Sequence, residues 1–161
     1  MVESLRMDLT KIAPDAYKHL LALEGVIGGR VDRHLLHLIK LRASQINGCA
    51  YCIGMHTDEA LRDGDKPERL LLLDAWHESS AFSDKERAAL EWVEEVTLIA
   101  DGHAHKEAFD ALKLHFSEEE IGWLTLAAAA INTWNRIAIA SRAQYDPAMF
   151  HRHETKATEP V

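Results

Sequence analysis

The chain has 161 residues, 47% hydrophobic and 27% charged, with a formal net charge of -8, which fits a single soluble domain with its own core. The acidic balance excludes the basic footprint of a nucleic-acid binder. No apolar run reaches the length of a membrane span, and the N-terminus carries charges where a signal peptide needs an apolar core, so a cytoplasmic location is expected.

The recurring pattern is helical; alternation of strand type is nearly absent. TKIAPDAYKHLLALEGVIGG puts Pro14 near a helix start and Gly25, Gly28 and Gly29 near its end. VDRHLLHLIKLRASQING follows, with Asp32 as N-cap, an apolar stripe of Leu35, Leu38, Ile39 and Ile46, and Asn47-Gly48 as a stop. A new helix is expected from near Cys49 to about Asp63, closed by Gly64. KPERLLLLDAWHES reads as one shorter helix with Pro67 in its first turn.

SDKERAALEWVEEVTLIADG opens on a capping box, Ser83 and Glu86, and offers Leu90, Val93, Val96 and Ala100 as one apolar face. HKEAFDALKLHF is amphipathic. SEEEIGWLTLAAAAINTWNRIAIASR opens on a second cap, Ser117 and Glu120. Its middle is apolar nearly all round, as a buried central helix would be. The expected organisation is one domain over 1–150 and a polar tail over 151–161, in which His151 and His153 read as part of a loose end.

The chain's two cysteines both lie in SQINGCAYCIGMHTDEA, Ser44 to Ala60. Two buried thiols at this spacing can be plain core residues. In a reducing compartment, however, such a pair is more often catalytic or metal-binding than a structural staple. It falls at a predicted helix start, where free N–H groups and the helix dipole favour a thiolate. The i, i+3 spacing puts both sulfurs on one side of the first turn, close enough for a disulfide. His56, at i+4 from Cys52, shares that face and can accept a thiol proton directly or through water. These parts make a redox unit: a thiolate attacks a peroxide oxygen, the neighbouring thiol condenses with the sulfenic acid, and an external dithiol resets the pair.

The segment LRASQINGCAYCIGMHTDEALRDG, Leu41 to Gly64, resembles the AhpD-like alkylhydroperoxidases of the carboxymuconolactone decarboxylase superfamily. The likeness extends through Leu70 to Thr97 and Phe116 to Ile139. It implies an all-α fold around a helical hairpin that carries the Cys-x-x-Cys motif, assembly as a homo-oligomer (trimer or hexamer), and no prosthetic group. By the resemblance, Cys52 reacts with peroxide, Cys49 closes the disulfide and takes part in proton transfer, and His56 belongs to a proton relay. The implied partners are a hydroperoxide substrate and an external dithiol reductant, with a lipoyl-type protein as precedent.

The relay of the family usually begins with a glutamate twelve residues before the first cysteine, a position held here by His37. An imidazole titrates near 6.5, so a relay through His37 would carry a different pH dependence. In a simple antiparallel hairpin His37 lies roughly 15 Å back from the turn, against about 6 Å for Cys52 and about 12 Å for His56, nearer the level of the histidine than of the sulfur.

Three alternatives use the same residues. Cys49, Cys52, His56 and His37 are a possible Cys2His2 zinc set, although three of them would share one helix, unlike the two separated pairs usual in structural sites. Lactone decarboxylation, which names the superfamily, belongs to members that lack the cysteine pair. A scaffold whose cysteines only sense redox state would form a reversible disulfide without turnover. Elsewhere, His34 reads as surface, Glu94 as an inter-helix tie or a substitute relay acid, and Asn132, Asn135 and Arg136 as polar groups that need partners inside an apolar helix. The four tryptophans read as core or interface packing.

Overall fold

The computed structural model describes residues 4–146 and 148, and every regular element among them is helical. A short turn, α1 (Leu9–Ile12), precedes α2 (Pro14–Gly28), α3 (Arg33–Asn47), α4 (Ala50–Arg62) and α5 (Pro67–Leu71). A 3-10 segment (Leu72–Glu78) leads to α6 (Asp84–Thr97), α7 (Ile99–Gly102), α8 (Lys106–Leu112) and α9 (Glu118–Ser141). The polar tail at 151–161, with His151 and His153, lies outside the described residues.

Local chemistry sets the helix ends. Asp32 caps α3 by accepting from the Leu35 amide at 3.0 Å. Ser83 with Glu86 and Ser117 with Glu120 form complete capping boxes on α6 and α9. Gly48 ends α3 in the left-handed region (φ 67°), and the Cys49 amide bonds back to the Ser44 carbonyl at 3.0 Å. That turn reverses the chain and makes α3 and α4 the hairpin that carries both cysteines.

Two faces of α3 are buried. Leu35, Leu36, Ile39 and Ala43 join Trp92 and Val93 of α6 and Leu124, Ala127 and Ile131 of α9 in the larger core. Leu38 and Leu41 turn the other way, onto Ala60, Leu73, Trp76 and Phe82. The alanines of α9 let its backbone come close to α3, so α3 and α9 share the centre. Contrary to the all-round burial expected of α9, Leu126 and Ile139 face outward.

Two helices expected from the sequence are each broken. The stretch from Pro67 passes into a 3-10 segment with a kink at Ala75 (φ -113°, ψ 31°). Leu73 and Trp76, three apart, are both buried, and a 3-10 turn stacks such residues on one side. The helix from Asp84 ends at Thr97, and Ala100, expected on its apolar face, is exposed. Here Glu95 takes the His105 amide at 2.9 Å, drawing the chain back through left-handed His103 and Ala104.

A Cβ at Gly48 would meet nothing within 4 Å, so the cost of adding one is purely conformational. Gly48→Ala is expected to lower stability by about 1–2 kcal/mol, read as a shifted urea midpoint at unchanged slope.

Candidate active site

Cys49 is the N-cap of α4, and its Sγ accepts the Cys52 amide at 3.4 Å. A sulfur thus fills the place usually taken by a serine or aspartate oxygen. Cys52 sits in the first turn, and both thiols are buried, packed against Ala138 of α9. The hydrogen bond from the Cys52 thiol is the largest influence on Cys49. It outweighs the burial that works the other way, is helped by the Cys52 amide and the Asn135 side chain, and draws the Cys49 thiol down to about 7. Cys52 moves in the opposite sense. Its bond to Cys49, then burial, then the Cys49 charge hold its proton in place. The resting negative charge of the pair therefore sits on Cys49.

The two sulfurs line different cavities. Cys52 opens on a cavity of about 710 Å³ with His56 and Glu59 on the same wall, and with Leu5, Met7, Tyr17, Met55, Trp134 and Ile137 as apolar surroundings. Cys49 lines a neighbouring space of about 650 Å³ beside Gly48, Arg142 and Tyr145. Tyr51 and Ala138 stand between the two and contribute to both.

His56 is buried, and its Nδ1 meets Glu59 Oε2 at 2.8 Å. That bond leaves Nε2 without a protein partner among the described residues, in a ring that lines the cavity with Cys52. Burial works to raise Glu59, but the His56 hydrogen bond, Lys40 and His37 outweigh it and hold the carboxyl below its usual range. Glu59 was not among the residues singled out from the sequence, and the available signal was His56-x-x-Glu59, an i, i+3 pair on one helix face. Lys40 pairs with Glu24 on the same cavity wall, and Glu24 also takes the Trp134 indole N–H at 3.0 Å.

His37 is buried but points elsewhere. Its Nε2 meets Asp63 Oδ2 at 2.6 Å, at the C-cap of α4, where Arg33 also reaches the carboxylate. The structure therefore brings Cys49, Cys52 and His56 together and sets His37 beside the far end of the same helix. Among the described residues no three of His, Cys, Asp and Glu converge as metal ligands, so the possible Cys2His2 set is not assembled. His34 is exposed. Glu94 accepts from Arg42 Nε and Trp76 Nε1, each at 2.7 Å, and serves as an inter-helix tie. No helix among the described residues is long and apolar enough to cross a membrane.

An all-α bundle that presents a buried Cys-x-x-Cys at a helix start, with a histidine one turn on, defines an AhpD-like protein. The sequence profile of the carboxymuconolactone decarboxylase family matches residues 14–95, and the chain belongs to that family. The Bacillus subtilis protein YdfG, itself uncharacterised, is 39% identical over 138 residues, 85% of this chain and 94% of its own. A crystal structure of ATU0492 from Agrobacterium tumefaciens, a protein of unknown function proposed as an AhpD antioxidant defence protein, superposes with a TM-score of 0.86 at 44% identity, covering 89% of this chain and 99% of that one. The debrominase Bmp8 shares the fold at 24% identity and a TM-score of 0.73, over 85% and 75% of the two chains.

The thiol pair predicts its own titration. In reduced protein the ultraviolet thiolate absorbance should rise with a midpoint near 7, and Cys49→Ser should abolish that step. Cys52→Ala removes the main donor to the Cys49 sulfur, so the Cys49 midpoint should move up toward the ordinary thiol value of about 8.5.

Proposed function

We propose that the protein is a thiol-dependent peroxidase that reduces organic hydroperoxides through the Cys49–Cys52 pair, in antioxidant defence. The observation that supports this most directly is the position of Cys52. It opens with His56 and Glu59 on one apolar-walled cavity, while the adjacent Cys49 carries the charge of the pair. The cavity of about 710 Å³ suits an organic residue on the peroxide better than hydrogen peroxide alone. Kinship with ATU0492 agrees with this reading.

In this mechanism the Cys49 thiolate takes the Cys52 proton as Cys52 Sγ attacks the terminal peroxide oxygen. The O–O bond breaks, the hydroxyl stays on Cys52 as a sulfenic acid, and the departing alkoxide takes a solvent proton relayed through His56 Nε2. The Glu59 carboxylate, 2.8 Å from Nδ1, holds the ring for this transfer. The Cys49 thiol then returns a proton through His56, its sulfur displaces the hydroxyl of Cys52 as water, and the disulfide closes. An external dithiol, with a lipoyl-type protein as the family precedent, attacks the disulfide and restores both thiols by exchange. A cytoplasmic setting supplies such a reductant, and a trimeric or hexameric assembly follows the family pattern.

Glu59 takes the part of the carboxylate that the family places at position 37, while His37 is held at Asp63 beside the far end of α4. Glu59→Gln should therefore slow oxidation of the reduced pair by about 10²-fold. If His37 belongs to the relay, His37→Glu should move the acid limb of the rate profile to lower pH. An unmoved profile would take His37 out of it.

The deciding experiment adds one equivalent of an organic hydroperoxide to reduced protein and follows intact mass over seconds. The parent should lose two hydrogens, Cys49→Ser should gain one oxygen as a sulfenate on Cys52, more slowly because the Cys49 base is gone, and Cys52→Ser should not react. A parent that stays unreacted for many minutes would end the peroxidase reading.

A further inference from the structure

The interior next to the cysteines holds a polar knot that the peroxidase reading leaves unused. Asn135 of α9 is wholly buried. Its Oδ1 accepts from Asn47 Nδ2 at 2.8 Å, and its Nδ2 donates to Ser44 Oγ at 3.0 Å. Ser44 Oγ gives its own proton to the Lys40 carbonyl at 2.7 Å, so toward Asn135 it can only accept. These three bonds fix which end of the Asn135 amide is oxygen and which is nitrogen. A primary amide carries two N–H donors, and Ser44 uses one.

The second donor has few places to go. Asn135 lies one turn before Ala138, the α9 residue packed on both cysteines. The amide bears on both sulfurs in the same sense, favouring the thiolate at each. Burying an amide donor unpaired is costly, and a negatively charged sulfur is a strong acceptor for it.

We propose that Asn135 donates its second Nδ2 proton to the thiolate of the Cys49–Cys52 pair, and that Asn47 and Ser44 are positioning residues that aim it there. The donor comes from a different helix than the cysteines and is held in place from α3 by Asn47 and Ser44. This inference rests on the thiol reading of the site, but it concerns thiolate formation, which is measurable without any peroxide.

The test is a pH titration of reduced protein, read by thiolate absorbance and by the rate of iodoacetamide alkylation. The ionisable groups beside the pair are Asp8 at the start of α1, Tyr51, His56 and Glu59 on α4, Lys40 on α3, Glu24 and Tyr17 on α2, and Arg142 and Tyr145 after α9; α9 itself lines the cavities without a charged side chain. All of these stay in place in Asn135→Leu, which keeps the branched shape, adds no charge and loses the donor. The expected result is a thiolate midpoint raised by about one pH unit, and so about tenfold slower alkylation at neutral pH. An unmoved midpoint in a folded variant overturns the proposal.

Should the variant not fold, the parent decides. With selective ¹⁵N labelling of asparagine, one Asn135 side-chain amide proton should shift as the thiolate titrates. An amide signal that ignores the titration also overturns the proposal. A parent that does not react with hydroperoxide, together with a shifted midpoint in the variant, would sink the peroxidase reading while leaving the Asn135 assignment standing.

Discussion

A sulfur serving as a helix cap is the constraint on which the site depends. The N-terminal turn of α4 needs acceptors for its free amides, and Cys49 supplies one from a side chain that is also half of the redox pair. Helix stability and thiol ionisation are therefore coupled: the N–H groups that need an acceptor are the ones that favour a charged sulfur. The left-handed turn at Gly48 fixes where that cap stands relative to α3, and α9 closes over it with Ala138.

Charge is distributed around this point in two separate groups. On the cavity side, Glu59 and His56 form a short chain that ends near Cys52, with the Lys40–Glu24 pair beyond it. On the core side, the neutral amides of Asn47, Asn132 and Asn135 link α3 to α9, and Asn132 reaches Thr97 of α6 at 2.9 Å. Neutral donors in the core avoid the desolvation cost of buried ions, while the titratable groups stay where water and substrate can reach them.

Much of this was legible in the sequence because the signals are local. Capping boxes, the Asn47-Gly48 stop, the cysteine spacing and the i+4 histidine all act within a turn or two of themselves. The misreadings came where tertiary contacts decide. Continuous periodicity could not reveal that Leu73 and Trp76 would be buried together, or that Glu95 would draw the chain back after Thr97. His37 occupies a position that the family resemblance made important, yet its partner, Asp63, is set by how α3 and α4 lie against each other. Asn135 was noticed only as a polar group needing partners, since its bonds to Asn47 and Ser44 cross from α9 to α3.

The close spacing of the two cysteines has an energetic consequence. A disulfide between positions 49 and 52 would close a ring of four residues, and so small a loop removes little entropy from the unfolded chain, about 2 kcal/mol on the loop-closure model. The same bond would take away the thiolate that caps α4, a loss of about 1 kcal/mol for an N-cap. The lost cap offsets about half of the loop-closure gain and leaves about 1 kcal/mol in favour of the disulfide. A pair built this way passes between dithiol and disulfide with only that small change in the stability of the surrounding bundle, so reversibility is set mainly by the reductant rather than by the fold.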